Sequence, residues 1–272
     1  MFVGRVIVFA VLALSAAQAL AQGGFFGFSE DYSTGAGDVG GREAETRWRF
    51  ALGGGVGAGP NFQGSDKYNL RAVPFGFASY GRFFVGIGGA GVQLLRGPGW
   101  RFGAVLAPGQ GRKEDVDQRL AGLGDIDRTV NLGLFGAAFT RGWATRAVVY
   151  TDVGGEGHGT LARLDLIRRF RVDERIGFFA GPGLIWASRQ YMQTFFGVNE
   201  EQAARSGFPE FHPGSGVSSL RLTSGASYRF TPEWRLIGSV SASRLSGDAG
   251  NSPIVETRAQ YLAFISAVYL FR

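Results

Sequence analysis

Residues 261–272 read YLAFISAVYLFR, from Tyr261 to Arg272. The odd positions Tyr261, Ala263, Ile265, Ala267, Tyr269 and Phe271 are all apolar or aromatic, whereas the even ones include Ser266 and Arg272. Alternation at period two marks a strand with one apolar face. An aromatic-bearing strand at this place in a chain is the closing strand expected of a bacterial outer-membrane β-barrel, with Tyr269 and Phe271 in its aromatic girdle. Barrel-assembly machinery reads such a strand in that class and is an expected partner during insertion. Arg272 departs from the pattern, because an aromatic usually ends the chain.

The other end agrees. Residues 1–21 carry one early positive charge, Arg5, then an apolar run from Val6 to Leu14, and Ala19-Leu20-Ala21 before Gln22 fits a small-residue cleavage site. A secretory signal peptide is expected there, too short for a stable membrane span of about 20 apolar residues. No Cys follows Gln22, which argues against a lipoprotein, and the chain has no Cys with which to build disulfides.

Near-zero mean hydropathy suits a barrel whose outward apolar residues are averaged with a polar lumen. The formal net charge is +6, and the positive residues are Arg except for Lys67 and Lys113. The arginines are dispersed among predicted strands, so they are expected to line the lumen, snorkel at the interfaces or face anionic lipopolysaccharide. Nucleic acid is not an expected partner of a secreted chain.

The alternation recurs. Trp48, Phe50, Leu52, Val56 and Ala58 stand against Arg47, Arg49 and small residues; Val130, Leu132, Leu134 and Ala138 against Thr129, Asn131 and Gly133. Ala162, Leu164, Leu166 and Phe170 oppose Arg163, Asp165 and Arg169. Leu220, Leu222, Ala226, Tyr228 and Phe230 oppose Ser219, Arg221, Thr223, Ser227 and Arg229, and Trp234, Leu236, Val240 and Ala242 oppose Arg235, Ser239, Ser241 and Ser243. A soluble lipocalin-type barrel would put the apolar set inside. The signal peptide, the final strand and Trp48, Trp100, Trp143 and Trp234 near strand ends favour apolar-out.

Connections alternate short and long. The short turns fall at 79–82, 97–99, 141–142, 172–174 and 231–233, with Gly or Pro in several of them. The long segments are 59–67, 112–126, 153–158, 189–216 and 246–256. With both barrel ends in the periplasm, the short turns are periplasmic and the long segments extracellular. Splitting 83–95 (FFVGIGGAGVQLL) at Gly88-Gly89 gives an all-β, antiparallel up-and-down transmembrane barrel of about twelve strands over 46–272. Residues 199–205 (NEEQAAR) predict a short helix capped by Asn199. Residues 22–45, Gly-rich with Phe25, Phe26 and Phe28, predict a flexible periplasmic segment or a lumen plug.

Chemistry is sparse. His158 and His212 lie in predicted loops, and Ser188, Ser215, Ser218 and Ser219 are near enough in sequence to raise a Ser/His hydrolase, but no G-x-S-x-G elbow or triad spacing accompanies them. Glu114, Asp115, Asp117, Asp125 and Asp127 lack EF-hand spacing and are interleaved with Arg112, Lys113, Arg119 and Arg128, which predicts a solvated loop rather than a Ca²⁺ site. Gly53 to Gly59 (GGGVGAG) lies inside an alternating strand, so it predicts close backbone approach, not nucleotide binding. No catalytic, cofactor-binding or metal-binding residue is assigned, no cofactor is expected, and a non-enzymatic protein is expected.

Several loop segments carry a resemblance. Phe62-Gln63-Gly64-Ser65-Asp66, residues 119–127 (RLAGLGDID), residues 190–198 (YMQTFFGV, preceded by Gln190), Ser243-Arg244-Leu245 with Gly247-Asp248-Ala249, and Ser252-Pro253-Ile254-Val255 together resemble the MipA/OmpV family of MltA-interacting outer-membrane proteins. The resemblance implies an outer-membrane barrel in a Gram-negative bacterium. It also implies, from the founding member, a scaffold joining a lytic murein transglycosylase to a penicillin-binding protein. Two other roles stay open: a small porin, and a surface adhesin or ligand-binding barrel.

Overall fold

The computed structural model describes residues 47–271; the expected signal peptide at 1–21 and the segment 22–45 lie outside them. Twelve antiparallel strands close into one barrel, each paired with its sequence neighbours and the first with the last. They are β1 (Arg49–Pro60), β2 (Tyr68–Tyr80), β3 (Phe83–Gly86), β4 (Gly89–Gly97), β5 (Trp100–Pro108), β6 (Val130–Thr140), β7 (Trp143–Asp152), β8 (Thr160–Arg171), β9 (Ile176–Ala187), β10 (Gly216–Arg229), β11 (Trp234–Leu245) and β12 (Ala259–Phe271). The turn dividing β3 from β4 falls at Ile87-Gly88, one residue before the expected split.

The apolar set faces outward. Leu222 is 59% exposed and its neighbour Arg221 only 6%. Leu52, Val56, Leu106, Leu134, Val240 and Ile265 are exposed in the same sense around the wall. Such a belt is stable in acyl chains and not in water, and the closed ladder leaves most backbone groups paired. Trp48, Tyr80, Trp100, Trp143, Phe170, Trp234 and Phe271 form an exposed aromatic ring at the short-turn end. Tyr68, Trp186 and Tyr261 do so at the other. The protein is an outer-membrane β-barrel.

The lumen differs from a uniformly polar one. The even face of β12 is itself mostly apolar and buried: Leu262, Phe264 and Val268 pack with Ala51, Val73, Phe75 and Ile237 into a core inside the barrel. Ser266 and Arg272 had suggested a polar inner face, but the intervening even residues fill the lumen instead. Opposite, the wall of β8 and β10 carries the buried Asp165–Arg221 ion pair and Thr223 bonded to Ser241 at 3.0 Å. One side of the interior is thus greasy and the other ionic.

The glycines of β1 permit the seam to close. A Cβ on Gly53 would stand 2.1 Å from the Ala267 carbonyl oxygen, and one on Gly55 2.0 Å from that of Ile265. Both carbonyls belong to β12, so close backbone approach is the reason for these glycines.

Candidate functional site

The long loops do not wave freely; they knit into a cap over one end of the barrel. Helix α1 (Arg189–Phe196) starts at Ser188, whose Oγ accepts from the Tyr191 N–H, and α2 (Glu200–Ser206) starts with an Asn199/Gln202 capping box. The α2 helix matches the sequence expectation; α1 was missed. A third short helix, α3 (Gly247–Asn251), lies in the last loop. Tyr191, Met192, Phe195 and Phe196 of α1 bury themselves against Ala187, Leu245 and Ala249. Phe62, Leu120, Leu123, Val198 and Ile254, from four different loops, form a second buried cluster.

Polar bonds register these loops. Asp117 accepts from Lys67 Nζ at 2.9 Å, Asn61 Nδ2 at 3.0 Å and Ser65 Oγ at 3.3 Å. Burial alone would raise its carboxyl, but hydrogen bonds from Lys67, Asn61 and the Arg119 N–H outweigh burial and hold it down to about 2. Arg119 donates to the carbonyls of Pro253 at 2.6 Å and Ile254 at 3.3 Å while stacking on Phe208. Arg112 donates to the Phe195 carbonyl at 3.0 Å; burial lowers its guanidinium to about 10, so it keeps its charge at neutral pH. Ser252 Oγ donates to the Phe196 carbonyl at 2.6 Å.

The acids of the loop 109–129 serve these structural pairs. Lys113 bridges Asp125 at 2.8 Å and Asp127 at 3.2 Å, and Glu114 accepts from the Gly122 N–H at 2.6 Å. Among the described residues no cluster of His, Cys, Asp or Glu has the arrangement of a metal site. Of the Ser/His candidates, His158, Ser218 and Ser219 line one chamber of the barrel, whereas Ser188 and His212 are not among its lining residues. Ser188 Oγ accepts from the Thr160 N–H at 2.9 Å, and Ser218 Oγ donates to the Ile185 carbonyl at 3.3 Å. His158 is buried edge-on against Phe195, whereas His212 lies exposed beside Glu210.

Below the cap lies a chamber of about 130 Å³ inside the barrel, roofed by Tyr191 and Phe195 and walled by Arg163, Ser219, Ser241 and Gln260. The Tyr191 hydroxyl donates to Gln110 at 3.1 Å, and burial pushes it up to about 12 against the opposing hydrogen bond from Gln63. At the opposite end of the barrel, the short turns and strand ends present Arg82, Arg96, Arg141, Arg171 and Arg175 to solvent, against the exposed carboxylates Asp173 and Glu174. Arg168 lies over Trp143 and Phe170, and Arg101 and Arg169 over Phe139, so this rim joins cations to the aromatic girdle.

The segments that converge in the cap are those that carried the family resemblance, and the model of the family described as MltA-interacting protein MipA matches residues 52–271. The chain belongs to this family. It is 26% identical over 159 residues to the MltA-interacting protein of Escherichia coli (strain K12), an alignment spanning 58% of this chain and 63% of that protein. The chain therefore matches under two thirds of that relative's length. It is 32% identical over 89 residues to outer membrane protein Omp26La of Vibrio anguillarum, covering 33% and 34% of the two chains. Among solved structures it is similar to the translocator domain of autotransporter NalP from Neisseria meningitidis, with a TM-score of 0.43 and 10% identity over 96% of this chain and 100% of that one.

Proposed function

We propose that this barrel is a non-enzymatic docking protein of the cell envelope, which holds a murein transglycosylase, and through it a murein-synthesising penicillin-binding protein, at the inner face of the outer membrane. The observation that carries the reading is the arginine-rich rim at the short-turn end. In a barrel of this class that end faces the periplasm, where murein is made and cut. A ring of fixed positive charge favours encounter with an acidic protein surface and raises association rates. The name of the relative in Escherichia coli supports a transglycosylase as the partner. The filled lumen and knitted cap argue in the same direction, since a through-channel would need both removed.

Crosslinking in intact cells, followed by identification of the attached proteins, tests the proposal. A murein transglycosylase is expected among them, and the combined change Arg82→Glu, Arg141→Glu and Arg175→Glu is expected to abolish its capture while the barrel still assembles. Capture that survives this charge reversal, or capture of no murein enzyme at all, overturns the reading.

A further inference from the structure

Among the described residues, the closed barrel's wall lacks strand pairing on one side above the β3–β4 hairpin. β2 runs from Tyr68 to Tyr80, but β3 pairs only with Phe77 to Tyr80. Because the turn at Ile87-Gly88 is so tight, the β3–β4 hairpin ends far below the cap, and β4 meets β5 only from Leu106 downward. Among the described residues, the edge of β2 from Tyr68 to Gly76 has no ladder partner on that flank. At about 3.3 Å per residue this is roughly 30 Å of strand edge. Bare edges facing hydrocarbon do not occur unless protein covers them or they border a cavity. Pro74 sits within this stretch, as a proline can on an unpaired edge.

The gap leads to the chamber, for Gly88 at the hairpin tip and Ala107 on its far flank both line it. Next to the hairpin the inner lip of the gap is apolar, with Val73 and Phe75 buried and Ile87 packed against their cluster, while Arg71 lies higher on the same face of β2. Inside, the chemistry changes. Among the described residues no carboxylate lines the chamber. Arg163 does, and its Nε is buried without a hydrogen-bond partner; the neighbouring inward carboxylate, Asp165, is bound by Arg221. Arg163 therefore shares Asp165 with Arg221 and has the cations Arg221 and Arg146 close by, and an anion entering the chamber relieves that excess of positive charge. Above, α1 lies across the mouth; below, the lumen is filled by Phe264 on one wall and the Asp165–Arg221 pair on the other.

We propose that the chamber binds a single-chain anionic amphiphile that enters sideways from the outer leaflet, its charged head on Arg163 and its acyl chain lying through the gap between β2 and the β3–β4 hairpin. This site is separate from the periplasmic rim and stands whether or not the docking reading holds. The test uses the full-length protein in phosphatidylcholine vesicles with a photoreactive palmitate and, in parallel, the corresponding uncharged alcohol. After illumination, the carboxylate probe is expected to mark Val73, Phe75 and Ile87, whereas the alcohol marks only the outward belt around Leu52, Leu222 and Val240. Excess unlabelled palmitate should displace the inner label, and water-soluble acetate should not. Arg163→Gln is expected to lower inner labelling about tenfold, the value of one charge-assisted contact, with Arg163→Lys retaining most of it. Heat-modifiable gel mobility verifies that each variant is folded, and the competition in the unaltered protein needs no variant. Equal inner labelling by both probes, displacement by acetate, or label confined to the outer belt overturns the proposal.

Discussion

Asp165 and Arg221 face the lumen as a buried pair, while Leu222, one residue on, points to lipid. Sequence alternation alone distinguishes their faces, and it correctly sets Leu222 outward and Arg221 inward. It does not disclose that Arg221 has a partner two strands away in sequence order, because the pairing depends on barrel register. Leu222→Arg should cost about 2–4 kcal/mol as a charge in the bilayer. From alternation alone, Arg221→Leu looks mild; the ion pair revises this, because stripping one partner from a buried pair costs about 3–5 kcal/mol. Urea unfolding of the three variants is expected to rank Arg221→Leu near Leu222→Arg, with the double change Asp165→Leu and Arg221→Leu much closer to the parent. Asp117 supplies a second residue-level test. Its carboxyl, ordinarily at 3.8, lies at about 2 in the folded cap. A lowered carboxylate stabilises the folded form fully above its ordinary value and loses that contribution as the pH falls toward its folded one. Protease nicking within 188–215 should therefore rise between about pH 4 and pH 2, and Asp117→Asn should flatten that rise while raising nicking at neutral pH.

At the scale of elements, strands were legible because each repeats one simple rule along a dozen residues. The short β3 was the hardest, since its four residues carry little alternation and only the glycines at 88 and 89 signalled a turn. Helix α1 went unread because YMQTFF is apolar on several faces and eight residues are too few to establish a helical period. The one usable signal was Ser188 standing where an N-cap would. Phe196 in that helix is fully buried, so Phe196→Ala should cost about 3–5 kcal/mol within the cap. The expected result is faster hydrogen exchange through 188–215 with the barrel strands unchanged. The seam between β1 and β12 is less forgiving. A side chain on Gly55 would collide with the backbone of Ile265, so Gly55→Val should leave mostly unassembled chain in the outer-membrane fraction.

For the whole molecule, the fold class and its address followed from the sequence, whereas the condition of the interior did not. Side chains from the four adjacent strands β2, β1, β12 and β11 pack together along one wall only once the first strand has met the last, and no local pattern reports whether they will leave a pore. Planar-bilayer recording is expected to find no large stable conductance, and deleting residues 189–214 should not open one, because Phe264, Val268 and the Asp165–Arg221 pair remain below. A wide, weakly selective current from either protein would mean that the interior is not packed as described. The bond from the Gly64 N–H to Gln260 Oε1 at 3.1 Å joins the first long loop to the start of the final strand. Those groups stand at opposite ends of the barrel's chain, so they meet only after the last strand has found the first. The cap is consequently a late event in biogenesis, and an antibody that recognises its assembled surface would count finished barrels and ignore every precursor still waiting to close.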